Sequence, residues 1–279
     1  GYAKWIGRYD KYGNMIESAY FDTDGEPVRD KEGVMKVEAV YNNKGYISSI
    51  SYVDAGGNLV PNKIGIAQVT ITYDNNNNLE KISFKDADGA PCPIANVRLE
   101  YDESGNQTGQ FVSCLEDKLF QPAGFNWRAK YDKGNLVEKV YLNNVKEPYL
   151  NPNEGYAKYI AKYNERGRLI ELSFFDTEEK PCLNNKGYAK VSYGYDEWGN
   201  VTEILFLGVD GKPCTDSSGV ARCVMRYDER GNKIEEATSD TEGTPCLNAQ
   251  GAAKMTAVCD SWGNVTEMTY WGTDGRLGL

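Results

Sequence analysis

The chain has 279 residues, a formal net charge of −10 and no histidine. The negative charge makes nucleic-acid phosphates and anionic membrane surfaces poor partners, and no apolar stretch is long enough to span a bilayer. Without histidine, Ser-His and Cys-His nucleophiles are excluded. Because the sequence also lacks a CxxC pair, a zinc site is not expected.

A short motif that begins with Tyr-Asp recurs along the whole chain. Its leading residues are Tyr9, Tyr41, Tyr73, Tyr101, Tyr131, Tyr163, Tyr195, Tyr227 and Cys259. The steps between them are 32, 32, 28, 30, 32, 32, 32 and 32 residues. A nearly fixed period of this size predicts a tandem-repeat array in which each copy is stabilised mainly by its neighbours.

The nine copies are predicted to form a single repeat domain, residues 1–279. Their approximate bounds are 1–32, 33–64, 65–93, 94–123, 124–154, 155–186, 187–218, 219–250 and 251–279. Positions within a copy are counted here from the leading Tyr as position zero.

The first predicted element of each copy is a half-buried β-strand over positions −6 to 0. In the seventh copy the even positions are Ala189, Val191, Tyr193 and Tyr195, and the odd positions are more polar. Lys or Arg occupies position −5 in six copies, namely Lys4, Lys36, Lys158, Lys190, Arg222 and Lys254. Alternation with a period of two residues predicts a strand with one packed face.

The motif D/N-x-x-G follows this strand, as in Asp228-Glu-Arg-Gly231. Aspartate at the first place and glycine at the fourth predict a type I turn followed by a left-handed residue, which is the three-residue hairpin with a bulge. The fifth copy lacks one residue here, in Asp132-Lys-Gly134.

A second strand is predicted after the turn. Its position +11, counted +10 in the fifth copy, is aromatic at Tyr20, Tyr52, Phe84, Tyr141, Phe174, Phe206 and Tyr270. Glutamates alternate with this column at Glu17, Glu138, Glu171, Glu203, Glu235 and Glu267. The pattern predicts that stacked copies bury the Tyr and Phe columns and leave the Lys and Glu columns toward solvent.

A second turn and a Pro-led piece, such as Lys212-Pro-Cys-Thr215, complete the copy before a third turn leads onward. Because Pro cannot donate to a ladder, the Pro-led piece is predicted to be a short strand at an edge or rim. No segment has helical periodicity. The predicted fold is therefore all-β, an elongated tandem-repeat array of antiparallel β-hairpins or meanders that forms an open spiral or a solenoid-like sheet.

The fourth and fifth copies, about Ile94 to Glu154, depart most from the pattern. Pro122-Ala-Gly124 and Asn143-Asn-Val-Lys146 replace regular turns, and Cys114-Leu-Glu-Asp117 interrupts the second strand. Two interpretations stay open: sequence drift without consequence, or a bend or an added contact surface.

Four cysteines follow a proline in the same register. They are Cys92, Cys182, Cys214 and Cys246. A small apolar residue repeated in one column predicts packing, and disulfides between neighbouring copies are the alternative. Free thiols favour a reducing setting.

The core Y-D-x-x-G-N-x-x-E, as in Tyr195 to Glu203, resembles the YD (RHS) repeats of bacterial surface and toxin proteins and the MORN-related hairpin repeats. The resemblance covers the Tyr-Asp turn and flanking strands of nearly every copy. It implies hairpins that spiral into an extended sheet or shell, used as a scaffold or adhesive surface. The longer period of this chain favours an open spiral.

Candidate ligand-binding residues are aromatic side chains at the tip of the first turn, at Tyr12, Trp198 and Trp262. They either fold over the neighbouring turn or remain exposed to stack on sugar rings or anchor a protein partner. The D-x-D-G turns are interpreted as turn chemistry, with a weak shared calcium site as the alternative. No other cofactor, metal site or catalytic residue is predicted.

The sequence thus predicts a non-enzymatic scaffold that presents an extended surface for a protein or glycan, within a larger bacterial surface or secreted protein. One alternative is a purely structural spacer or regulatory scaffold for a missing domain. Another is a carboxylate-dependent glycosidase that uses two acidic side chains in a groove. A cytoplasmic location is the alternative to the cell surface. No nucleic acid or membrane insertion is expected, and the oligomeric state is left open.

Overall fold

The computed structural model describes residues 2–114 and 126–278. These residues form 18 β-strands and no α-helix, which confirms the all-β prediction. The strands are β1 (Lys4–Tyr9), β2 (Met15–Phe21), β3 (Lys36–Tyr41), β4 (Ile47–Val53), β5 (Gln68–Tyr73), β6 (Leu79–Lys85), β7 (Pro91–Tyr101), β8 (Gln107–Cys114), β9 (Asn126–Asp132), β10 (Asn135–Leu142), β11 (Lys158–Tyr163), β12 (Leu169–Phe175), β13 (Lys190–Tyr195), β14 (Val201–Leu207), β15 (Arg222–Tyr227), β16 (Lys233–Ser239), β17 (Lys254–Cys259) and β18 (Val265–Trp271). Within the described ranges, no helix could cross a membrane.

The chain divides into two compact units, Gly1–Trp127 and Arg128–Leu279. In the first unit, β1 to β8 pair consecutively and antiparallel. In the second unit, β10 to β18 do the same. Each unit is therefore a meander of tandem hairpins, as the repeat pattern predicts.

The first turn has the predicted bulged geometry in every copy except the fifth. In the eighth copy, Asp228 Oδ1 accepts the backbone N–H groups of Arg230 at 2.9 Å and Asn232 at 2.8 Å. The Asn232 side chain donates to Asp228 Oδ2 at 2.8 Å, and Gly231 has φ +84°. A register shift at Tyr227 marks the bulge. The left-handed fourth residue explains why glycine recurs there.

The shortened turn of the fifth copy changes type. Lys133 has φ +50° and Gly134 has φ +80°. Positive φ at both central residues is typical of a two-residue type I′ hairpin. A shorter type of turn thus accommodates the loss of one residue, and β9 still pairs with β10.

The Pro-led pieces differ from the prediction because most of them are single bridges rather than strands. Pro181 bridges Phe175, and the N–H of the next residue, Cys182, donates to the Phe174 carbonyl at 3.1 Å. Leu59 and Leu277 stand where other copies have proline and also make a single bridge, so the missing proline N–H is not the cause of the short pairing. The predicted rim position is correct, since Pro181 is exposed.

Aromatic side chains form a ladder through the fifth to seventh copies of the second unit. It runs Tyr141, Tyr156, Phe174, Tyr188 and Phe206, with successive ring centroids 5.8, 4.6, 5.9 and 4.5 Å apart. Phe174 is only 4% exposed. Such contacts stabilise beyond the area they bury, so each ring couples one copy to the next. Tyr141 and Phe174 of the +11 column are buried as predicted. The prediction is wrong for Tyr270, which is 44% exposed, and the other aromatic members of the column are half-buried, namely Tyr20, Tyr52, Phe84 and Phe206.

In five copies the alanine at position −6 is deeply buried, whereas Ala3 of the first copy is exposed. The five buried members, Ala67, Ala157, Ala189, Ala221 and Ala253, are at most 3% exposed. The carbonyl of Ala189 accepts the Phe174 N–H at 2.8 Å, so the small side chain lies where the next strand joins the previous copy. A larger side chain there would overpack the junction.

Most leading tyrosines are half-buried rather than central to the core, and Tyr9 is exposed. In five of the described copies the hydroxyl group donates to a backbone carbonyl of the previous copy. Tyr195 reaches Leu169 O at 2.6 Å and Tyr227 reaches Val201 O at 2.9 Å. Tyr41, Tyr73 and Tyr163 make the same bond. This column links copies by hydrogen bonds as well as by packing.

The Lys and Glu columns share the other face of the sheet and pair with each other. Glu171 forms ion pairs with Lys162 of its own copy at 2.9 Å and with Lys190 of the next copy at 3.3 Å. In the first unit, Lys36 of the second copy lies 3.0 Å from Glu17 of the first. Opposite charges across strands fix register and stabilise each pair by about 0.2–1 kcal/mol.

Part of the irregular region can be compared with its prediction. Cys114 ends β8, but residues 115–117 and the predicted turn at Pro122-Ala-Gly124 lie outside the described residues. The Asn143 turn keeps the regular geometry: Asn143 Oδ1 accepts the N–H groups of Val145 and Glu147 at 3.0 and 2.9 Å.

The cysteines of the Pro column are free thiols in contact with backbone. Sγ of Cys182 and Sγ of Cys214 each lie 3.8 Å from a glycine carbonyl of the preceding turn. Equivalent cysteines are two strands apart, about 9.6 Å, which exceeds the Cα separation that a disulfide bridges. The packing interpretation therefore fits, and burial raises the pKa of both thiols.

Candidate functional site at the hairpin tips

The three candidate aromatic side chains all lie at hairpin tips and are exposed to solvent. The exposed fractions are 76% for Tyr12, 70% for Trp198 and 87% for Trp262. Each is the third residue of a bulged turn, where the backbone points the side chain away from the sheet. Lys11 Nζ lies 4.8 Å from the centre of the Tyr12 ring. The two indoles therefore offer their faces to a ligand.

The backbone beneath Trp198 is held by arginines of the preceding copy. Arg168 donates to the carbonyls of Trp198 at 3.0 Å and Asp196 at 3.4 Å. Arg166 donates to the carbonyl of Glu197 at 2.8 Å. Three consecutive carbonyls are thus fixed from one side, and a rigid turn loses little entropy when a ligand binds its side chain.

The turn that carries Trp262 is held in a related way. Arg230 of the preceding copy donates to the Ser261 carbonyl at 2.7 Å, and Asp260 Oδ1 accepts the Trp262 N–H at 2.8 Å. Asn232 occupies the place of Arg168 in this copy. Asn232 Oδ1 lies so close to Gly263 that a Cβ added to this glycine would be only 2.9 Å from it. The second tryptophan turn therefore has fewer anchoring bonds than the first.

Arginine and tryptophan alternate along the tips of the last four copies. The order is Arg166, Trp198, Arg230 and Trp262. This set of four side chains is called the tip row below. Adjacent copies are two strands apart, so the two indoles are separated by about four strand spacings, or about 19 Å. The tryptophans were identified from the sequence, but the arginines were missed, although their alternation with the tryptophans is visible there.

A groove of about 640 Å³ lies between the tips of the fifth and sixth copies. It is lined by residues of both turns, including Lys133, Asn135, Tyr163 and Glu165. The two-residue turn of the fifth copy is shorter than its neighbour, which leaves space beside the start of the tip row. The short turn of the fifth copy therefore borders a concave surface.

Two smaller cavities recur at equivalent places near the opposite ends of the strands. One of about 360 Å³ is lined by Pro181, Lys190 and Gly208, and one of about 380 Å³ by Pro245, Lys254 and Gly272. Corresponding residues are two copies apart. Gly208 and Gly272 replace the aspartate that begins this turn at Asp176 and Asp240, and the missing side chain leaves the space.

The glutamate column has the electrostatics of an ion-paired face. Burial of Glu171 opposes its ionisation, but hydrogen bonds from Lys162 and Lys190 outweigh this and lower its pKa. A general acid in a glycosidase needs a raised pKa. Glu235 is also held by two cations, with Lys254 at 2.7 Å and Arg226 at 3.7 Å.

The turn aspartates are occupied by their own backbone. In the D-x-D-G turn of the first copy, Asp22 Oδ1 accepts the N–H groups of Asp24 and Glu26, both at 2.9 Å. Calcium needs six to eight oxygen ligands. Across residues 2–114 and 126–278, no group of three or more acidic or cysteine side chains is placed to hold a metal ion.

The sequence matches no known family profile and no curated protein. Solved structures that resemble it include a Tc holotoxin pore from Photorhabdus luminescens, with 14% identity and a TM-score of 0.47. A crystal structure of TcdB2-TccC3 has 13% identity and a TM-score of 0.37. The alignment covers 98% of this chain in both cases but only 16% of each toxin chain. A porin-like protein from Bacteroides uniformis has 12% identity and a TM-score of 0.23, over 83% of this chain and 86% of its own. At this level of likeness nothing is carried over to this chain.

Proposed function

We propose that the chain is a non-enzymatic repeat scaffold whose hairpin tips bind a glycan, with Trp198 and Trp262 as the stacking surfaces. The observation that carries the proposal is the exposure of two indoles on turns that arginines of the preceding copy hold in place. Tyr12 provides the same kind of surface in the first unit.

The chemistry of the tip row suits a ligand with apolar ring faces and many hydroxyl groups. The indole faces are uncharged, and Arg166 and Arg230 each retain N–H donors beyond the one that bonds the next turn. Glu165, Glu197 and Glu229 lie beside these residues, so the row has little net charge. A sugar chain could contact successive tips, and several weak contacts on one rigid surface would add up to useful affinity.

Three features support a non-enzymatic role. The glutamates of the wet face are engaged with lysines and arginines, and the pKa of Glu171 is lowered rather than raised. Burial raises the pKa of five thiols, those of Cys92, Cys182, Cys214, Cys223 and Cys246. For Cys223, burial foremost, with Glu236 nearby, raises the pKa to about 11. A protonated thiol is a poor nucleophile.

We further propose that the chain is part of a larger bacterial surface or secreted protein. A sugar-binding row serves a protein that meets glycans outside the cell. The described thiols are compatible with this setting, because Cys92 is buried and the others are half-buried, and oxidation proceeds through an exposed thiolate.

The test is to probe glycan and peptide arrays with the 279-residue chain and with Trp198→Ala, Trp262→Ala and the double variant. We expect glycan binding that falls about threefold to tenfold in each single variant and further in the double. The thermal midpoint should stay within about 2 °C of the parent chain, because exposed side chains contribute little to stability.

Val209→Ala is a matched control, since it removes an exposed apolar side chain from a different turn. Its binding should equal that of the parent chain. Selective binding to peptides would reassign the ligand to a protein. Glycan binding that survives the double variant would contradict the role of the tip row.

A further inference from the structure

The shortened turn of the fifth copy leaves two polar side chains without the partners that they have in other copies. In the first turn of six copies, the asparagine after the glycine donates to the turn aspartate, as Asn232 does to Asp228 Oδ2 at 2.8 Å. Asp132 and Asn135 hold the equivalent places in the fifth copy. Neither side chain forms a hydrogen bond within the described part of the chain. The loss of one residue therefore frees a carboxylate and a carboxamide.

Both freed side chains line the groove of about 640 Å³ between the fifth and sixth copies. Lys133 and Glu165 line it too, are exposed, and form no ion pair among the described residues. These four side chains, Asp132, Lys133, Asn135 and Glu165, are called the groove set below. The carboxylates accept hydrogen bonds, the ammonium group donates them, and the carboxamide does both. The groove set therefore complements hydroxyl groups, each of which donates and accepts.

Apolar side chains and one aromatic ring line the same groove. They are Val137, Ala161, Ile170 and the ring of Tyr163. The Tyr163 hydroxyl donates to Leu136 O at 3.0 Å, which holds the ring in place. Apolar lining with a few polar groups is typical of a small-ligand site, and such sites usually enclose about 300–1,000 Å³. The groove therefore has both the size and the lining of a binding site.

The groove lies beside the start of the tip row. Glu165 directly precedes Arg166, the first member of that row. The tip that carries Trp198 is about three strand spacings from the middle of the groove, or about 14 Å. A sugar chain of several units on the tip row could therefore place one unit in the groove.

We propose that the groove is a subsite of the tip row and binds one uncharged unit of a sugar chain. The inference rests on the proposed glycan binding. The ring of Tyr163 lies against the apolar face of the sugar, while Asp132 and Asn135 bond its hydroxyl groups. The two carboxylates of the groove set outnumber its one ammonium group, so an acidic sugar unit is repelled. The ligand class is a neutral glycan rather than one built from uronic acids or sulfated sugars.

The test is isothermal titration calorimetry of the 279-residue chain with cellohexaose, chitohexaose and hexagalacturonate. We expect one of the two neutral sugars to bind at least tenfold more tightly than hexagalacturonate. Asp132→Asn and Asn135→Ala should each weaken binding of the neutral sugar about threefold to tenfold, because a hydrogen bond to the ligand is lost.

The acidic sugar gives the opposite sign for one of these variants. Asp132→Asn should strengthen binding of hexagalacturonate about threefold, since it removes a repelling charge. A purely structural role of Asp132 would not separate the two sugars in this way. Asp24→Asn is the matched control, because it makes the same change in an exposed turn of the first unit and should leave both affinities unchanged.

Rebuilding the regular turn gives a second test. Insertion of one serine between Lys133 and Gly134 creates the Asp-x-Ser-Gly-Asn pattern that residues 102–106 have. Asn135 should then donate to Asp132, which withdraws both groups from the ligand. We expect at least tenfold weaker binding of the neutral sugar, with a thermal midpoint equal to or above that of the parent chain. A variant that merely damaged the fold would lower the midpoint.

Three results would overturn the inference. Neutral-sugar binding that Trp198→Ala/Trp262→Ala abolishes but the groove variants leave unchanged would remove the groove alone and keep the proposed function. Tighter binding of hexagalacturonate than of either neutral sugar would contradict the ligand class. A parent chain that binds none of the three sugars would also overturn the inference, while the glycan array decides separately on the tip row.

Discussion

Phe174 and Trp198 are large aromatic side chains in neighbouring copies of the repeat, one in a strand interior and the other at a hairpin tip. Phe174 is 4% exposed between the rings of Tyr156 and Tyr188. Trp198 is 70% exposed on a turn whose backbone carbonyl accepts a hydrogen bond from Arg168 of the preceding copy. The repeat therefore uses aromatic residues for two purposes: interior rings couple copies, and tip rings face outward. The predictions below separate these purposes by their effects on stability.

The largest effect on stability is expected for the interior ring. Phe174→Ala should lower the free energy of unfolding by about 3–5 kcal/mol, because it removes a buried ring and leaves a cavity between two others. Urea denaturation followed by circular dichroism measures the change. Trp198→Ala, which removes an even larger side chain at a tip, should cost less than about 0.5 kcal/mol. Equal losses of unfolding free energy in the two variants would contradict the distinction between interior and tip rings.

A smaller effect is expected in the eighth copy, where Thr238 replaces the aromatic residue. Its hydroxyl donates to Cys246 O at 2.7 Å and lies 3.3 Å from Ala253 O. Thr238→Val should cost about 1–2 kcal/mol in chemical denaturation, since buried carbonyls lose their donor. Thr238→Ser keeps the hydroxyl and should retain the hydrogen bond. If Thr238→Val were as stable as the parent chain, the hydroxyl group would contribute nothing and packing alone would explain Thr238.

The hydroxyl column should contribute about 1 kcal/mol per member. Tyr195→Phe removes only the oxygen that bonds Leu169 O, so its cost isolates that link between copies. The ninth copy has Cys259 at this position, and Cys259→Tyr should gain a comparable bond to Lys233 O. Differential scanning calorimetry should show a lower thermal midpoint for Tyr195→Phe and a higher one for Cys259→Tyr. A neutral Tyr195→Phe would contradict a linking role for the column.

The smallest effect concerns pH. The Asn232 side chain, followed by the Asn232 N–H, lowers the pKa of the exposed Asp228 carboxyl. A lowered pKa in the folded state contributes stability that is present above the unfolded value of about 3.9 and is lost as pH falls through the folded value. Thermal melts should therefore decline below about pH 4, and less so for Asp228→Asn. Asn164 shows that the turn accepts asparagine. If the thermal midpoint of Asp228→Asn fell at low pH as much as that of the parent chain, the Asp228 carboxylate would not contribute to stability.

Local chemistry explains what could be predicted from the sequence. The strands and bulged turns follow from two-residue alternation and from Asp and Gly at fixed places, both of which act within one hairpin. The links between copies depend on residues that meet only after strands pair. Arg166 and Glu197 are distant in sequence, and nothing local distinguishes an arginine that bonds the next turn from one in solvent. The same holds for Ala189, whose burial is set by the neighbouring copy.

The repeated pattern also contained information that was visible but not used. Arg166, Trp198, Arg230 and Trp262 alternate at one position, and a position that alternates between a charged and an aromatic side chain is more typical of a surface than of a core. The groove between the fifth and sixth copies could not be predicted. It depends on how a type I′ turn lies beside a bulged one, which the loss of one residue does not reveal by itself.

The most direct test of the account is to measure glycan affinity and unfolding free energy on the same two proteins, Trp198→Ala/Trp262→Ala and Phe174→Ala. The tip variant should lose affinity at least tenfold, and its unfolding free energy should stay within about 1 kcal/mol of the parent chain. Phe174→Ala should lose about 3–5 kcal/mol of stability, while its folded fraction binds the glycan as the parent chain does. A tip variant that unfolds more easily yet binds normally would contradict the division between tips and interior.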